Sequence, residues 1–468
     1  MSNNKSSALR RVNYPKIGRP EEPRPVVPDA VYAARLARVR ERMAADGLEA
    51  LVVYGDREHF ATVQYLTNYD PRFEETLLLI FPAGTPILLV GNEGMGYSQI
   101  ARLQVKRWLY QTFSLLGQPR DRVEPLEFIL RRAGIGDCAL VGVAGWKFFT
   151  TREFDDAETR LDLPDYIATA LRYAAGDVGK IINVTAMFME AEHGLRNINE
   201  AEQLADFEWI ATHNSQNLLD GIRQLQPGQT EFAAFANIPY MGLPLCTHPQ
   251  CASGENILRF GMPSPTSRVI QRGDPLLLTY SYQGANNCRF GWVAANESEL
   301  PANVRDYVAV MAQPYAVAMA NWLLALRLGA TGNDLHHAVA DVLLPLGFTL
   351  GLNCGHQIGA DEWTDSMVYD GSTGQVRSGM YWQADFFPST TTPHHGAFAE
   401  DGFVLADAAL REELSQRYPA MWRRVQARRA FLRDELRIPV AEELLPFSNC
   451  AGAVMPYLLA PEMSLVMD

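Results

Sequence analysis

The sequence predicts two folded domains, an α/β domain first and then a larger domain built on an internally repeated unit. Three observations predict this. The chain has 468 residues, more than one hydrophobic core usually organises. Helical patterns alternate with short buried strands from Asp29 onward. A helix–turn–helix phrase then returns about a hundred residues after its first use. Apolar residues make up 47% of the chain and charged residues 20%, an ordinary globular balance. The net charge of -13 works against nucleic acid or an anionic membrane as partner. No uninterrupted apolar run approaches the roughly 18 residues of a membrane span.

Met1 to Pro28 is polar and proline-rich, with no apolar stretch of the signal-peptide kind, and reads as an arm that packs on a partner or stays mobile. The six cysteines, Cys138, Cys246, Cys251, Cys288, Cys354 and Cys450, form no CxxC pair, which points to reduced structural thiols and a cytoplasmic setting. The first domain, 29–185, opens with a helix that Asp29 can cap. Tyr32, Leu36, Val39 and Met43 line one face of it, and Gly47 is placed to end it. Strand-like Ala50–Tyr54, Thr76–Phe81, Pro86–Val90 and Ala139–Val143 follow, with a helix at Leu126–Arg132 among them.

The second domain, 190–410, begins with a long helix predicted over Asn199–Leu225 and capped at Asn199. It stops at Pro227-Gly228, and a new helix starts after Thr230. The same grammar recurs with a helix over Val304–Leu328, a stop at Gly329, and another helix over Asn333–Leu344. The stretches Ile222 to Thr230 and Ala325 to Thr331 are the matching joints. Such a duplication places helices outside a curved sheet with a pocket between its halves. Residues 411–468 hold a basic-rich helix, Met421–Leu436, and a tail with no assigned place.

Five segments of the second domain, in order, carry a resemblance. They are Ser253-Gly254-Glu255-Asn256 with Arg268 and Gly273-Asp274; the strand Leu276–Thr279 leading by a hairpin to Gly291-Trp292; Gly355-His356-Gln357-Ile358-Gly359; Ser378-Gly379-Met380 leading to Asp385; and Glu400-Asp401-Gly402. In register they resemble the creatinase/Xaa-Pro aminopeptidase family, and Tyr65–Asn68 and Thr76–Ile80 are similar to that family's N-terminal domain. The resemblance implies an α/β creatinase-like N-terminal domain, an α+β pita-bread C-terminal domain, internally duplicated, and a homodimer.

The family's peptidases hold two divalent cations with two Asp, one His and two Glu. Carried onto this sequence, the first Asp falls on Thr279 (Tyr280 if the register slips) and the second on Ala295. The remaining three fall on His356, Asp385 and Glu400. Losing both aspartates removes two charges that a cation pair needs. Asp in place of Glu at 385 also withdraws the carboxylate by about 1.5 Å. The family's two proton-handling histidines are replaced by Phe260 or Gly261, and by Trp363. Creatinase resembles this fold run without metal. In that comparison Glu297 stands where creatinase carries a Glu, and Arg72 where it sends an Arg into its partner's pocket.

The candidate residues follow from this. His356 titrates near neutrality and can relay protons. Glu297, Asp385 and Glu400 form a carboxylate cluster whose members raise one another's pKa. His248 is a substitute for the missing histidine. Arg72, Phe260, Trp363, Tyr280 and His248 make up the substrate-binding set, with Trp382 a further aromatic candidate. Aromatic faces beside carboxylates suit cationic ligands. His394-His395 are placed near the pocket mouth, whereas His336-His337 sit on a helix and read as structural.

The expected function is metal-independent hydrolysis of a C–N bond in a small amidine, guanidino, cyclic amidine or amide substrate. One alternative is a peptidase or lyase with a single Mn or Fe on His356, Asp385 and Glu400. Another is a binding protein without catalysis.

Overall fold

A computed structural model of the chain describes residues 6–390 and 392–468, with the side chain of Leu258 left out. The chain divides into two compact units, Val27–Arg196 on one side and Met1–Val26 with Asn197–Asp468 on the other.

The first unit is a six-stranded mixed sheet in the order Lys106–Leu109, Ile87–Val90, Thr76–Ile80, Ala50–Gly55, Val141–Ala144, Ile181–Asn183. Its central strand, Ala-Leu-Val-Val-Tyr-Gly, is buried throughout, as an unbroken apolar run covered on both faces must be. Val52 and Tyr54 pack with Leu130 and Leu171 of the helices Leu126–Ala133 and Asp165–Ala175. Leu51 and Val53 pack the other way, with Leu36 and Val39 of the helix Asp29–Ala45. That helix is capped by Pro28, not by Asp29, whose carboxylate instead pairs with Arg102 at 3.0 Å. Gly47 follows its end with φ +70°, the left-handed conformation that glycine adopts without strain.

The second unit repeats its grammar. Helices Ala201–Arg223 and Glu231–Ala236 precede one four-stranded sheet, ordered Ala399–Glu400, Ala285–Trp292, Pro275–Tyr282, Gln250–Ser253. Helices Gln313–Ala325 and Gly332–Leu343 precede the other, ordered His356–Gln357, Tyr381–Gln383, Gly402–Leu405, Leu444–Pro446. Asn199 does not cap the long helix. Glu200 stands at the cap position, and the Asn199 amide donates to the Gly379 carbonyl at 3.0 Å. The helix predicted over Val304–Leu328 starts as a 3-10 turn and a π-turn, because Pro314 supplies no backbone N–H to a regular first turn. The run Ala302–Ala325 is long and apolar enough to cross a bilayer, and half of its most apolar window lies inside the protein. Met319, Trp322 and Leu323 in it are fully buried.

The arm and the tail are part of this second unit. Ser7–Arg11 pairs antiparallel with Met463–Met467, so this part of the arm packs on its own chain. Leu444–Pro446 completes the second sheet. The basic stretch of the tail is two helices, Ala408–Arg417 and Pro419–Ala430, and Arg417, Arg424 and Arg428 in it pair with acids of the long helix Ala201–Arg223. Arg428, fully buried, donates to Glu208 at 2.6 Å, to Thr212 at 2.6 Å and to Asn449. Arg424 binds the same buried Glu208.

Removing Glu208 would leave the fully buried Arg428 without its carboxylate and Arg424 with Glu22 alone. Glu208→Ala should therefore lower the unfolding free energy in urea by about 3–5 kcal/mol. Arg24→Ala, which breaks a pair with Asp206 from a more exposed cation, should cost about 0–1 kcal/mol.

In the first unit His59 Nδ1 lies 2.9 Å from Asp56. The hydrogen bond to Asp56 raises the His59 pKa against the opposing effect of burial. Burial alone would raise Asp56, but the hydrogen bonds and charge of His59 hold it down at about 2. The stabilisation from Asp56 is present above its unfolded value near 4 and is lost as pH falls toward 2. That from His59 is present below about 6.5 and is lost as pH rises through the raised value. Thermal melts of His59→Gln should accordingly converge on the unsubstituted protein at alkaline pH and fall furthest below it near pH 5–6.

Candidate functional site

The site is assembled where the two sheets of the second unit meet. The segment 399–405 changes sheets in a few residues. Glu400 pairs with Cys288 in the first sheet, and Gly402 pairs with Gln383 in the second. Between them Asp401 forms a fully buried ion pair with Arg289, 2.8 Å long. Arg289 also donates to the carbonyl of Glu400 at 3.1 Å and to those of Cys288 and Cys450. This arginine fixes the backbone from which the Glu400 side chain projects.

His356 stands at the start of the edge strand of the second sheet, opposite Gln383. Its Nδ1 lies 3.1 Å from the Gln357 carbonyl. A carbonyl only accepts, so Nδ1 carries the proton and Nε2 is left facing the site. Around Nε2 stand Glu362 at 3.3 Å, Asp385 at 3.5 Å and Glu400 at 3.9 Å. Their nearest donor atoms all lie within 4.8 Å of one another. His356 is fully buried, Glu400 3% exposed and Asp385 5% exposed, whereas the Glu362 side chain is 26% exposed. Two buried atoms of the group, His356 Nε2 and Asp385 Oδ1, have no well-aligned hydrogen-bond partner among the described residues.

The charges act on one another strongly. Burial pulls the His356 pKa down, but the Glu362 and Asp385 carboxylates outweigh it and hold the imidazole well above its ordinary value. Glu400 is pushed well up by burial and then by Asp385 and Glu362. Asp385 is raised by burial and held back by His356. Each of these shifts favours the protonated form, which offsets the negative charge of the group.

Neutral amides hold Glu400 from the side. Asn286 Nδ2 donates to both its oxygens, at 3.1 and 3.2 Å, and Gln383 Nε2 donates to Oε1 at 3.2 Å. Trp363 stacks on the His356 ring, with centroids 4.0 Å apart and planes 12° from parallel. It reaches that position because a bridge between Gln357 and Asp365 closes the loop and turns Glu362 and Trp363 back over the histidine.

Glu362 was not among the sequence candidates. The adjacent acids Asp361-Glu362, six residues past a glycine-flanked histidine, were the available signal. The closing bridge that gives them meaning is a tertiary feature. Glu297, expected in the cluster, is instead exposed on a 3-10 turn beyond the end of its strand. The predicted correspondence of Ala295 also changes. The residue facing Thr279 across the hairpin is Cys288, and the Thr279 hydroxyl donates to its thiol at 2.9 Å. The strand ends at Trp292, so counting on from Gly291-Trp292 to Ala295 ran past it.

Tyr280 points to the opposite face of its strand from Thr279, as alternation requires. Its hydroxyl meets Tyr282 at 2.8 Å and the Pro239 carbonyl at 3.1 Å. Trp382 likewise lies on the other face from Gln383 and is fully buried. Phe260 is 56% exposed, and His248 is exposed with Nε2 3.4 Å from the Met262 carbonyl. Neither of them belongs to the buried group. His394 pairs with Asp306 at 2.8 Å, and His395 packs on Trp292. Arg72 lies in the other compact unit. There it binds Asp70 at 2.8 Å and the Tyr97 hydroxyl at 2.7 Å, and its own φ is +61°.

The cation pair implied by the resemblance does not fit these residues. Across the hairpin, where two carboxylates are needed, a hydroxyl and a thiol are hydrogen-bonded to each other. A single divalent cation does fit. Its donors would be an unprotonated Nε2 and carboxylate oxygens that already converge, with two buried atoms unpartnered.

Comparison with known proteins supports the same architecture. Residues 35–111 match the family model of the Creatinase/Prolidase N-terminal domain. No curated protein matches the sequence. Among solved structures, a prolidase from Pyrococcus horikoshii OT3 is similar with TM-score 0.59 at 15% identity, covering 80% of this chain and 95% of its own. A dipeptidase from Mycobacterium ulcerans gives 0.59 at 18%, covering 83% and 95%. An Xaa-Pro dipeptidase from Bacillus anthracis gives 0.60 at 13%, covering 81% and 96%. By a family-model match over residues 35–111 and by the fold of about four-fifths of its length, the chain is similar to the creatinase/prolidase proteins and shares the pita-bread fold of the prolidase and dipeptidases above.

Proposed function

We propose that the chain is a hydrolase of a C–N bond in a small molecule, working at the His356–Glu362–Asp385–Glu400 group with one divalent cation. The observation that carries this reading is the convergence of His356 Nε2, Asp385 and Glu400 on one buried point, with Glu362 beside them and open to solvent. The pita-bread proteins it is similar to include a prolidase and two dipeptidases, and their peptide bond is a C–N bond. His356, Asp385 and Glu400 would hold the cation, which when bound polarises the bond to be cleaved and makes water a better nucleophile.

The remaining roles belong to the chain. The Gln357 carbonyl keeps the proton on Nδ1, so that Nε2 stays a lone-pair donor. Asn286 and Gln383 orient Glu400 without adding charge. Glu362 takes a proton from the attacking water. The water oxygen bonds to the carbon, the C–N bond breaks, and Glu362 returns the proton to the leaving nitrogen. Trp363 covers one face of the imidazole and limits access of bulk water to it.

This reading replaces the metal-free one expected from the sequence, because Glu297 stands outside the group and Glu362 stands within it.

Metal analysis and a panel of Xaa-Pro dipeptides, amides and amidines test the reading together. Protein dialysed against Mn should retain close to one ion per chain, and His356→Ala close to none. Two ions per chain, or turnover that survives thorough chelation, would refute the single-cation centre.

Glu362→Gln separates holding from proton transfer. It should keep the bound Mn and lose activity by roughly 100-fold or more. Loss of the ion with the activity would make Glu362 a ligand instead.

A further inference from the structure

We infer that His213 is a proton-operated latch for the N-terminal arm: when its imidazole takes up a proton, residues 15–26 leave their seat on the helix Ala201–Arg223. The latch uses no residue of the His356 group and stands apart from the hydrolase reading.

The seat is a polar stripe. Asp206, Trp209, His213, Asn217 and Asp220 recur at helical spacing and so share one face of that helix. The arm runs antiparallel along it. Arg24 pairs with Asp206 at 2.6 Å, Trp209 Nε1 donates to the Glu22 carbonyl at 3.0 Å, and Arg19 donates to Asn217 at 2.8 Å and to Asp220 at 2.7 Å. From the tail, Asn449 donates to the Gly18 carbonyl at 3.0 Å and Arg424 binds the Glu22 carboxylate. Every position of the stripe has a polar partner in the arm except the middle one, His213.

His213 is 7% exposed, and neither of its ring nitrogens has a hydrogen-bond partner among the described residues. Its ring packs on Trp209, with centroids 4.2 Å apart, and the indole N–H is already given to Glu22. The neutral imidazole can sit there, whereas the charged form would lose hydration and gain no acceptor. Arg19 and Glu22 face it from the arm, Glu208 from its own helix, and Arg424 from the helix Pro419–Ala430. Asp206 and Asp220 lie about two turns away in either direction, bound by Arg24 and Arg19. The nearer acids are engaged as well, Glu208 by Arg424 and Arg428, and Glu22 by Arg424. Burial first, then Arg19 and Arg424, push the His213 pKa down to about 4. With the arm lifted, the ring is hydrated and returns toward its ordinary value near 6.5. The seat is therefore at full strength above about 6.5 and weakens as pH falls toward 4.

Native-state proteolysis of the full chain tests the latch. Thermolysin cuts before large apolar residues, and Ile17 offers it a bond inside the arm. Its rate on the protein, divided by its rate on a free peptide of residues 12–26 at the same pH, follows the open population. That ratio should rise roughly ten- to thirtyfold from pH 7.5 to pH 5, while cleavage inside Ala201–Arg223 does not rise with it. In His213→Phe, which keeps a ring on Trp209 and cannot take up a proton, the rise should shrink to about twofold or less. A rise below about threefold in the unsubstituted protein would overturn the inference. So would an equal rise inside the helix, which marks general unfolding, or a His213→Phe protein that keeps the full response. The first two outcomes need no substitution, so they decide the matter even if the variant does not fold.

Discussion

Burying three carboxylates around one imidazole creates a charge problem that the rest of the second unit is arranged to contain. Isolated ionised carboxylates do not persist in a protein interior; they take up protons, pair, or bind a cation. Here the only positive member within the group is His356, and its elevated pKa is the direct result of its neighbours. Burial and the neighbouring carboxylates favour the protonated forms of Asp385 and Glu400. A divalent cation relieves the same imbalance and frees those protons.

What keeps these side chains from separating is the crossing of 399–405 from one sheet to the other. Glu400 belongs to the first sheet by its pairing with Cys288, while His356 belongs to the second by its pairing with Gln383. The Arg289–Asp401 pair locks the crossover from behind. Gly452 N and Asn287 Nδ2 supply further donors to Asp401, so that its buried charge is fully engaged. A buried pair of this kind is poor at adding stability and good at fixing one geometry. That suits a site whose two halves come from different sheets.

The fold was legible because it depends on patterns with a local cause. Val52 and Leu51 alternate to opposite faces, Gly47 ends a helix, and the second use of a helix–Thr–helix joint appears as a Thr331–Asp334 capping box. His356, Asp385 and Glu400 were legible as motif positions and do converge. Glu362 was not, because a single bridge between Gln357 and Asp365 decides where it points, and no local propensity encodes that bridge. Glu297 failed for the opposite reason. A residue-count correspondence put it in the strand, but the strand ends at Trp292. Tyr280 was misplaced by one step of alternation, which in a strand is the whole difference between facing a site and facing a helix. The arm and tail were unreadable because Ser7–Arg11 finds its partner more than four hundred residues away, at Met463–Met467.

The Thr279–Cys288 pair shows why the site need not be a damaged version of a two-cation centre. Simple loss of two aspartates would leave buried space and unmatched polar groups. Instead the hydroxyl donates to the thiol, and both residues are buried on adjoining strands. Burial and Glu400 keep that thiol well above its ordinary pKa, hence neutral. Asn286 and Gln383 likewise hold Glu400 through neutral amides, without adding an anion. The hairpin side of the site is neutral at this pair, and on the loop side Asp361 and Glu362 precede Trp363.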